Sequence, residues 1–335
     1  MFQKYLVTGA SGFLGRAVIA ELKKKNASVR ALVLKNDPLT EKLPRDISVI
    51  FGDVCDDETL TRFFYGADDK TCVIHCAGIV SVKSVPDDSI YKVNAGGTAN
   101  ILRHCEKNKV GKLVYVSSVH AIPEKKKGTR ITETAAFSPS LVKGHYGKSK
   151  AIATNLVFEA AKRGLNASVV FPSGIIGPED YGQGSITYML LSFLEGKLRL
   201  AVNGAYDFAD VRDVAAGTVA CAELGKRGHG YILSGEYATI REILDAAKDA
   251  LQIKRRVLFL PLCLAKIIAP IYEKISLKKK RSLYFTPYSV SVLGSNGLFC
   301  KDTAEKELGY SPRPLKTSVR DAVLWLNKNR DKLKK

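Results

Sequence analysis

The sequence predicts an α/β protein: a doubly wound parallel sheet followed by a smaller α+β lobe. Two observations carry this. Short β-branched runs alternate with segments of helical periodicity through the first half, and the strand-like runs are apolar throughout, as strands covered on both faces are. In order, Tyr5–Thr8, Val29–Leu34, Ser48–Phe51, Cys72–His75, Leu113–Ser117 and Ala167–Phe171 read as strands, and Gly15–Lys25, Asp57–Phe64, Val93–Lys107 and Tyr146–Arg163 read as the helices between them. Beyond Pro172 the rhythm loosens into turns marked by Gly174, Gly177, Gly182 and Gly184. Helices are then expected near Ile186–Glu195, Val211–Leu224 and Ile240–Leu251. The first lobe is thus placed at residues 1–172 with a returning segment at about 205–235, and the second at 173–204 and 236–335.

Size and composition agree with two lobes. A chain of 335 residues and 36.6 kDa exceeds the roughly 100 to 200 residues of one domain. Its 46% hydrophobic and 25% charged residues are those of an ordinary globular protein, which excludes disordered, collagen-like and disulfide-knot classes. Fifty-two Lys and Arg against 33 Asp and Glu leave a net charge of +19, a surface that attracts acidic ligands, nucleic acid or anionic lipid. Seven cysteines, an odd number without a repeated C-x2-C pair, suit a reduced cytoplasmic chain, and neither a disulfide framework nor a metal site is expected. Met1 leads straight into the strand-like Phe2–Thr8, so no export signal is expected. The most apolar stretch, Val257–Ile275, is broken by Pro261, Lys266, Pro270, Glu273 and Lys274, which argues against a membrane span.

Three motifs carry chemistry. Between the first strand and the first helix stands Thr8-Gly9-Ala10-Ser11-Gly12-Phe13-Leu14-Gly15. Glycines there let the chain turn tightly and bring backbone N–H groups to a pyrophosphate at a helix N-terminus, where the dipole favours negative charge. The competing reading is a purely structural turn, and the position at the first βα junction weighs against it. Tyr146 and Lys150 are spaced Y-x3-K on a predicted helix, so they share a face. An ammonium beside a phenol favours phenolate and lowers a pKa that is ordinarily about 10, making Tyr146 a usable acid/base. A surface tyrosine beside a lysine is the bland alternative. Ser117 and Ser118 lie at the carboxyl end of a strand, where ligands bind in open α/β sheets, although a serine there also serves to cap the next turn.

Taken together and in this order, the motifs resemble the short-chain dehydrogenase/reductase superfamily and its extended branch, the NAD(P)-dependent epimerase/dehydratase family, over nearly the whole chain. Among its members the chain is most similar to dihydroflavonol 4-reductase-like and 3β-hydroxysteroid dehydrogenase-like proteins. The resemblance implies a Rossmann-like first lobe for the dinucleotide and a second lobe for the substrate. It implies that Gly9, Ser11, Gly12, Phe13, Leu14 and Gly15 hold the cofactor, and it places the catalytic serine at Ser118 beside Tyr146 and Lys150. It further implies cofactor contacts from Asp53 and Val54, from Cys76-Ala77-Gly78 after His75, and from Pro172, Gly174 and Ile175, with Phe171 replacing the usual arginine. Asn94, in Val93-Asn94-Ala95-Gly96-Gly97-Thr98, supports the active-site strand, and Asp213 caps a helix.

NAD binders of such folds end the second strand with an acid, whereas NADP binders place Arg or Lys there. Here Leu34 and Lys35 end it and Arg30 lies within it, so NADP is expected, with Asp37 as the alternative ligand for NAD. The implied reaction transfers a hydride between nicotinamide and a carbonyl or secondary alcohol, with Tyr146 passing the proton and Ser118 orienting the oxygen. Tyr181, Tyr188, Tyr206 and Phe208 suggest a hydrophobic or ring-shaped small-molecule substrate, shaped by loops near 79–89 and 178–210. The alternatives are a nucleotide-sugar epimerase or dehydratase, against which stands Val119-His120 after Ser118 where dehydratases carry Asp-Glu, and a non-catalytic NAD(P)-binding sensor. The lysine-rich runs 23–25, 125–127 and 328–335 read as solvated surface, and no nucleic-acid module accompanies them. Lys278–Arg281, following the apolar stretch, suggests peripheral contact with an anionic membrane. The resemblance also implies a homodimer paired through the helix containing Tyr146.

Overall fold

The computed structural model describes residues 2–134, 136–278 and 284–333. In chain order the elements are β1 (Lys4–Thr8), α1 (Phe13–Lys24), β2 (Ser28–Val33), β3 (Ser48–Phe51), α2 (Asp57–Phe63), β4 (Thr71–His75), α3 (Asp88–Tyr91), α4 (Thr98–Lys107), β5 (Lys112–Val116), α5 (Gly144–Lys162), β6 (Ala167–Pro172) and β7 (Gly174–Ile176). There follow α6 (Ser185–Leu194), β8 (Leu200–Asn203), β9 (Ala205–Asp210), α7 (Val211–Leu224), β10 (Gly230–Leu233), β11 (Glu236–Thr239), α8 (Ile240–Leu251), β12 (Leu258–Pro261), α9 (Leu262–Lys278), α10 (Pro287–Leu293), α11 (Asp302–Leu308) and α12 (Leu315–Leu333).

Seven parallel strands form the main sheet in the order β10-β6-β5-β4-β1-β2-β3. Its strands β4, β5 and β6 are fully buried, which is why they read as nearly continuous apolar runs. One face packs Leu6, Val73, Leu113 and Val169 toward α4 and α5, and the other packs Val7, Ile74, Val114 and Val170 toward α1 and α7. The chain winds outward from β1 through β2 to β3 and returns at β4 on the other side of β1. The crevice of such a sheet opens at that reversal, where the ends of β1 and β4 bring Thr8 opposite His75.

The sequence did not foresee β10, the seventh strand, nor the short strands of two smaller sheets, β11-β9-β7 and β12-β8. The stretch Val257–Ile275 resolves into β12 and α9, with Pro270 inside the helix. Of the basic run after it, only Lys278 belongs to the described residues; 279–281 lie outside them, as does the end of the basic tail at 334–335. No helix among the described residues is long and apolar enough to cross a membrane.

Candidate active site

Gly9 closes β1 at φ +62°, and a side-chain carbon there would stand 2.7 Å from the Ala77 nitrogen. A side-chain carbon on Gly15 would fall on the carbonyl oxygen of Gly9. The loop is therefore drawn tight against both α1 and the segment after β4, where the Cys76 amide donates to the Thr8 carbonyl (3.3 Å) and the Ala77 amide to the Thr8 hydroxyl (3.2 Å). Gly12 begins α1 without a side-chain cap and no acid occupies the first turn, so no side chain of the helix itself competes for its first N–H groups. This cradle fits a dinucleotide diphosphate, with Phe13 and Leu14 supplying amides. Gly15→Ala is expected to displace the loop and weaken binding of a reduced nicotinamide dinucleotide at least tenfold by fluorescence titration, an effect of about 1.4 kcal/mol or more, with a urea midpoint showing that the chain still folds.

At the neighbouring edge, Leu34 and Lys35 follow β2 and are both exposed. The Asp37 carboxylate accepts the Ser11 hydroxyl (2.7 Å) with one oxygen and the Leu39 amide (2.9 Å) with the other. Both oxygens are thus engaged in holding the turn against the glycine loop. Asp53 accepts the Cys55 amide (2.8 Å), and Val54 is buried against Gly97. A residue that motif reasoning missed, Arg16, is buried beneath the loop; its guanidinium donates to the Ser11 and Glu179 carbonyls and lies 5.0 Å from the centre of the Tyr181 ring. It ties the glycine loop to the turn after β7.

Across the crevice, Tyr146 and Lys150 are buried on one face of α5, and Ser118 ends the segment after β5. Ser117 turns away, its hydroxyl 2.6 Å from that of Thr154. Ser118 faces Tyr146 and also accepts the His120 amide (3.2 Å), so it caps the turn it begins as well as lining the site. The expectation that Lys150 lowers the Tyr146 pKa is corrected: burial pushes the phenol up to about 12, and the group that opposes this is the Ser118 hydroxyl. The ammonium is spent elsewhere, donating to the Val116 carbonyl (2.8 Å) and the Tyr115 hydroxyl (3.3 Å). Burial brings Lys150 itself down to about 8. Its Nζ lies close above Gly78, where a side-chain carbon would stand 3.3 Å away.

Asn94 sits in a π-helical turn, Lys92–Gly97, that re-aims its side chain inward. Its amide donates to the Ile79 carbonyl (3.0 Å) and the Ser149 hydroxyl (2.9 Å) and accepts the Ile79 amide (2.7 Å), so it clamps the segment after β4 onto α5. A buried polar chain continues from it. Thr98 donates to the Asn94 carbonyl (2.6 Å), which leaves Thr98 to accept from His75 Nε2 (3.0 Å) while Thr8 donates to His75 Nδ1 (2.6 Å). His75 is therefore neutral with its proton on Nε2, held well below the usual imidazole pKa, at about 3, by burial and by Lys150.

Pro172 ends β6 opposite Leu233, and Gly174 and Ile175 pair with Phe208 and Ala209 in β7. Phe171, in place of the arginine, faces the core and stacks on Phe137 with 5.4 Å between centroids. The helix cap expected at Asp213 is provided by Asp210, whose carboxylate accepts the Arg212 amide (2.9 Å); Asp213 instead receives the Arg313 guanidinium (2.6 Å).

Beyond Tyr146 lies a cavity of about 340 Å³, within the range of small-molecule sites, roughly 300–1,000 Å³. Its walls include Met189, Leu198, Phe208, Ile240, Leu260 and Phe285. Of the aromatics expected here, Tyr206 and Phe208 line it, whereas Tyr181 packs edge-on against Trp325. His120 marks the polar end: it stacks on Tyr206, lies 3.2 Å from the Tyr288 hydroxyl and stands with its ring 5.8 Å from that of Tyr146. Burial holds it at about 4, hence uncharged. Its sequence position, two residues after Ser118, was the available signal.

Comparison with known proteins shows the family and the fold. A model of the NAD dependent epimerase/dehydratase family matches residues 5–233. The chain is 28% identical to "Sterol demethylase protein B" of Methylococcus capsulatus, covering 96% of this chain and 97% of that one. It is 30% identical to "Putative dihydroflavonol 4-reductase" of Synechocystis, covering 96% and 94%. Among solved structures, gox2253 superposes with a TM-score of 0.84 at 29% identity over 98% of both chains.

Proposed function

The chain belongs to the NAD dependent epimerase/dehydratase family and is an NAD(P)-dependent oxidoreductase, and from that premise we propose that it reduces the carbonyl of an apolar, ring-shaped small molecule to a secondary alcohol, with NADPH as the preferred cofactor. The observation that carries this reading is the apolar cavity, whose polar end at His120 meets Tyr146. In this reading the first lobe, 1–172 with 205–235, holds the dinucleotide, and 173–204 with 236–335 surrounds the substrate.

The nicotinamide dinucleotide, when bound, supplies the hydride. Gly9 to Gly15 would hold its diphosphate, Lys150 its ribose, and Pro172, Gly174 and Ile175 its nicotinamide end. Lys35 stands free to meet a 2′-phosphate, while the Asp37 oxygens are already engaged, which favours NADP. Ser118 orients the substrate oxygen. Tyr146, kept protonated by burial, gives its proton to that oxygen. The names of the relatives, one a sterol demethylase protein and one a putative flavonoid reductase, support a polycyclic substrate. A nucleotide sugar fits less well, because charged and hydroxylated groups would lose water against aliphatic walls.

The test is a panel of cyclic ketones, flavonoid and steroid ketones and nucleotide sugars, each with NADPH and NADH. Oxidation of NADPH by an apolar cyclic ketone supports the reading. Interconversion of a nucleotide sugar without net cofactor oxidation would replace it with an epimerase, and cofactor binding without turnover of any class would favour a sensor.

A further inference from the structure

Helix α9 is built inside out. A surface helix ordinarily buries its large aliphatic residues and exposes its polar ones. In α9 the inward positions are Ala265, Ala269, Glu273 and Ser276, all buried. The outward positions are Leu264, Ile267, Ile268, Ile271 and Ile275, with Ile267 67% and Ile271 61% exposed. The helix is not free to roll these inward, because the Glu273 carboxylate accepts the Ser84 amide at 2.8 Å. The apolar surface continues onto the two-stranded sheet, where Leu258, 72% exposed, pairs with Leu200. Scattered exposed leucines are ordinary, but a contiguous aliphatic face marks an interaction site.

Charge identifies the partner. Lys266, Lys274 and Lys278 are exposed on α9, Lys254 and Arg256 are exposed just before β12, and the sequence continues with Lys279-Lys280-Arg281, which lie outside the described residues. An apolar face bordered by cations matches the interface of an anionic bilayer, whose acyl region takes the isoleucines while its headgroups meet the lysines. A second copy would bring the same cations, on a chain of net charge +19, against themselves. At 17 residues α9 is about 25 Å long, and it is not long and apolar enough to cross a membrane.

We propose that α9 and the β8–β12 edge dock the protein on an anionic phospholipid surface, so that an apolar substrate passes from the bilayer into the cavity. Ile268 and Leu200 are at once part of the exposed face and part of the cavity lining, so one wall separates the two. The passage of substrate rests on the reductase reading above; the docking does not.

The experiment is flotation of the full chain with phosphatidylcholine vesicles containing about one third phosphatidylglycerol, and with phosphatidylcholine alone, at low and high salt. The protein is expected to float with the anionic vesicles, less so at high salt. Ile267→Glu/Ile271→Glu and Lys266→Glu/Lys274→Glu should each reduce the bound fraction about tenfold or more, while leaving turnover of a small water-soluble cyclic ketone unchanged. Reduction of a ketone dissolved in the vesicles should fall with binding. Wild-type protein that stays unbound, variants that float as well as wild type, or an isoleucine variant that turns a dimer into a monomer without changing flotation would each overturn the docking surface. Flotation as described with no ketone reduced would leave docking standing and overturn the reductase reading alone.

Discussion

Tyr146→Phe is expected to lower turnover about 10²- to 10⁴-fold, the usual contribution of a positioned proton donor, while the dissociation constant for NADPH stays within about twofold. The substitution removes one oxygen from a buried side chain and leaves the ring, which packs against His120, in place. A phenol held up at about 12 by burial is protonated throughout the neutral range, so no loss of rate from its ionisation is expected below about pH 9. Lys150→Met should behave differently. Lys150 donates to the Val116 carbonyl and stands close to Gly78 in the proposed cofactor cleft, so cofactor affinity and turnover should fall together. Because burial holds this ammonium at about 8, wild-type affinity for NADPH should weaken as pH rises through that value. Stopped-flow and steady-state kinetics on both variants separate the two roles; equal losses of affinity would contradict them.

The second large effect is on stability in mild acid. His75 is fully buried with a pKa of about 3 in the folded protein, against 6.5 in an unfolded chain. Between those values the unfolded chain binds a proton that the folded one does not, so stability is greatest above pH 6.5 and is lost as pH falls. The slope is about 1.4 kcal/mol per pH unit for each such histidine, and His75 alone accounts for on the order of 4 kcal/mol down to pH 3. His120, at about 4, adds to the same limb. Urea midpoints should therefore drop steadily from pH 7 to pH 4.5, above the range where most carboxylates titrate. His75→Asn should be less stable at pH 7 but should flatten this dependence; an unchanged slope would show that His75 is not the group responsible. Folded His75 itself stays neutral down to about pH 3 and keeps accepting from Thr8, so the cofactor affinity of the folded protein should not follow this limb.

β4, β5 and β6 were legible because parallel strands buried on both faces leave an unmistakable apolar signature, β1, β2 and the edge strand β3 because their β-branched runs alternate with helical ones, and the glycine loop because tight packing against Ala77 leaves no room for other residues. Other features were not, for identifiable reasons. The π-turn at Lys92–Gly97 runs straight into α4 without a capping side chain to mark the join, so its effect on Asn94 shows only in three dimensions. β7 to β12 are three to six residues long and gain their partners from distant segments, as Gly174 does from Phe208, leaving little local pattern. The Y-x3-K spacing correctly put Tyr146 and Lys150 on one face, yet spacing carries no information on burial, and burial decides the Tyr146 pKa. Asp213 is the third residue of α7 and is held by Arg313, 100 residues away, so the cap falls to Asp210, which directly precedes the helix. α9 misleads periodicity outright, since its aliphatic stripe faces outward.

The central claim is net hydride transfer to an apolar cyclic ketone with Tyr146 as proton donor. Its most direct test uses NADPH deuterated at the transferred position, with product analysis by mass spectrometry. The account predicts one deuterium in the secondary alcohol, stoichiometric NADP⁺, and neither with Tyr146→Phe. Deuterium that never leaves the cofactor while a sugar nucleotide changes configuration, or alcohol formed equally well by Tyr146→Phe, would contradict it.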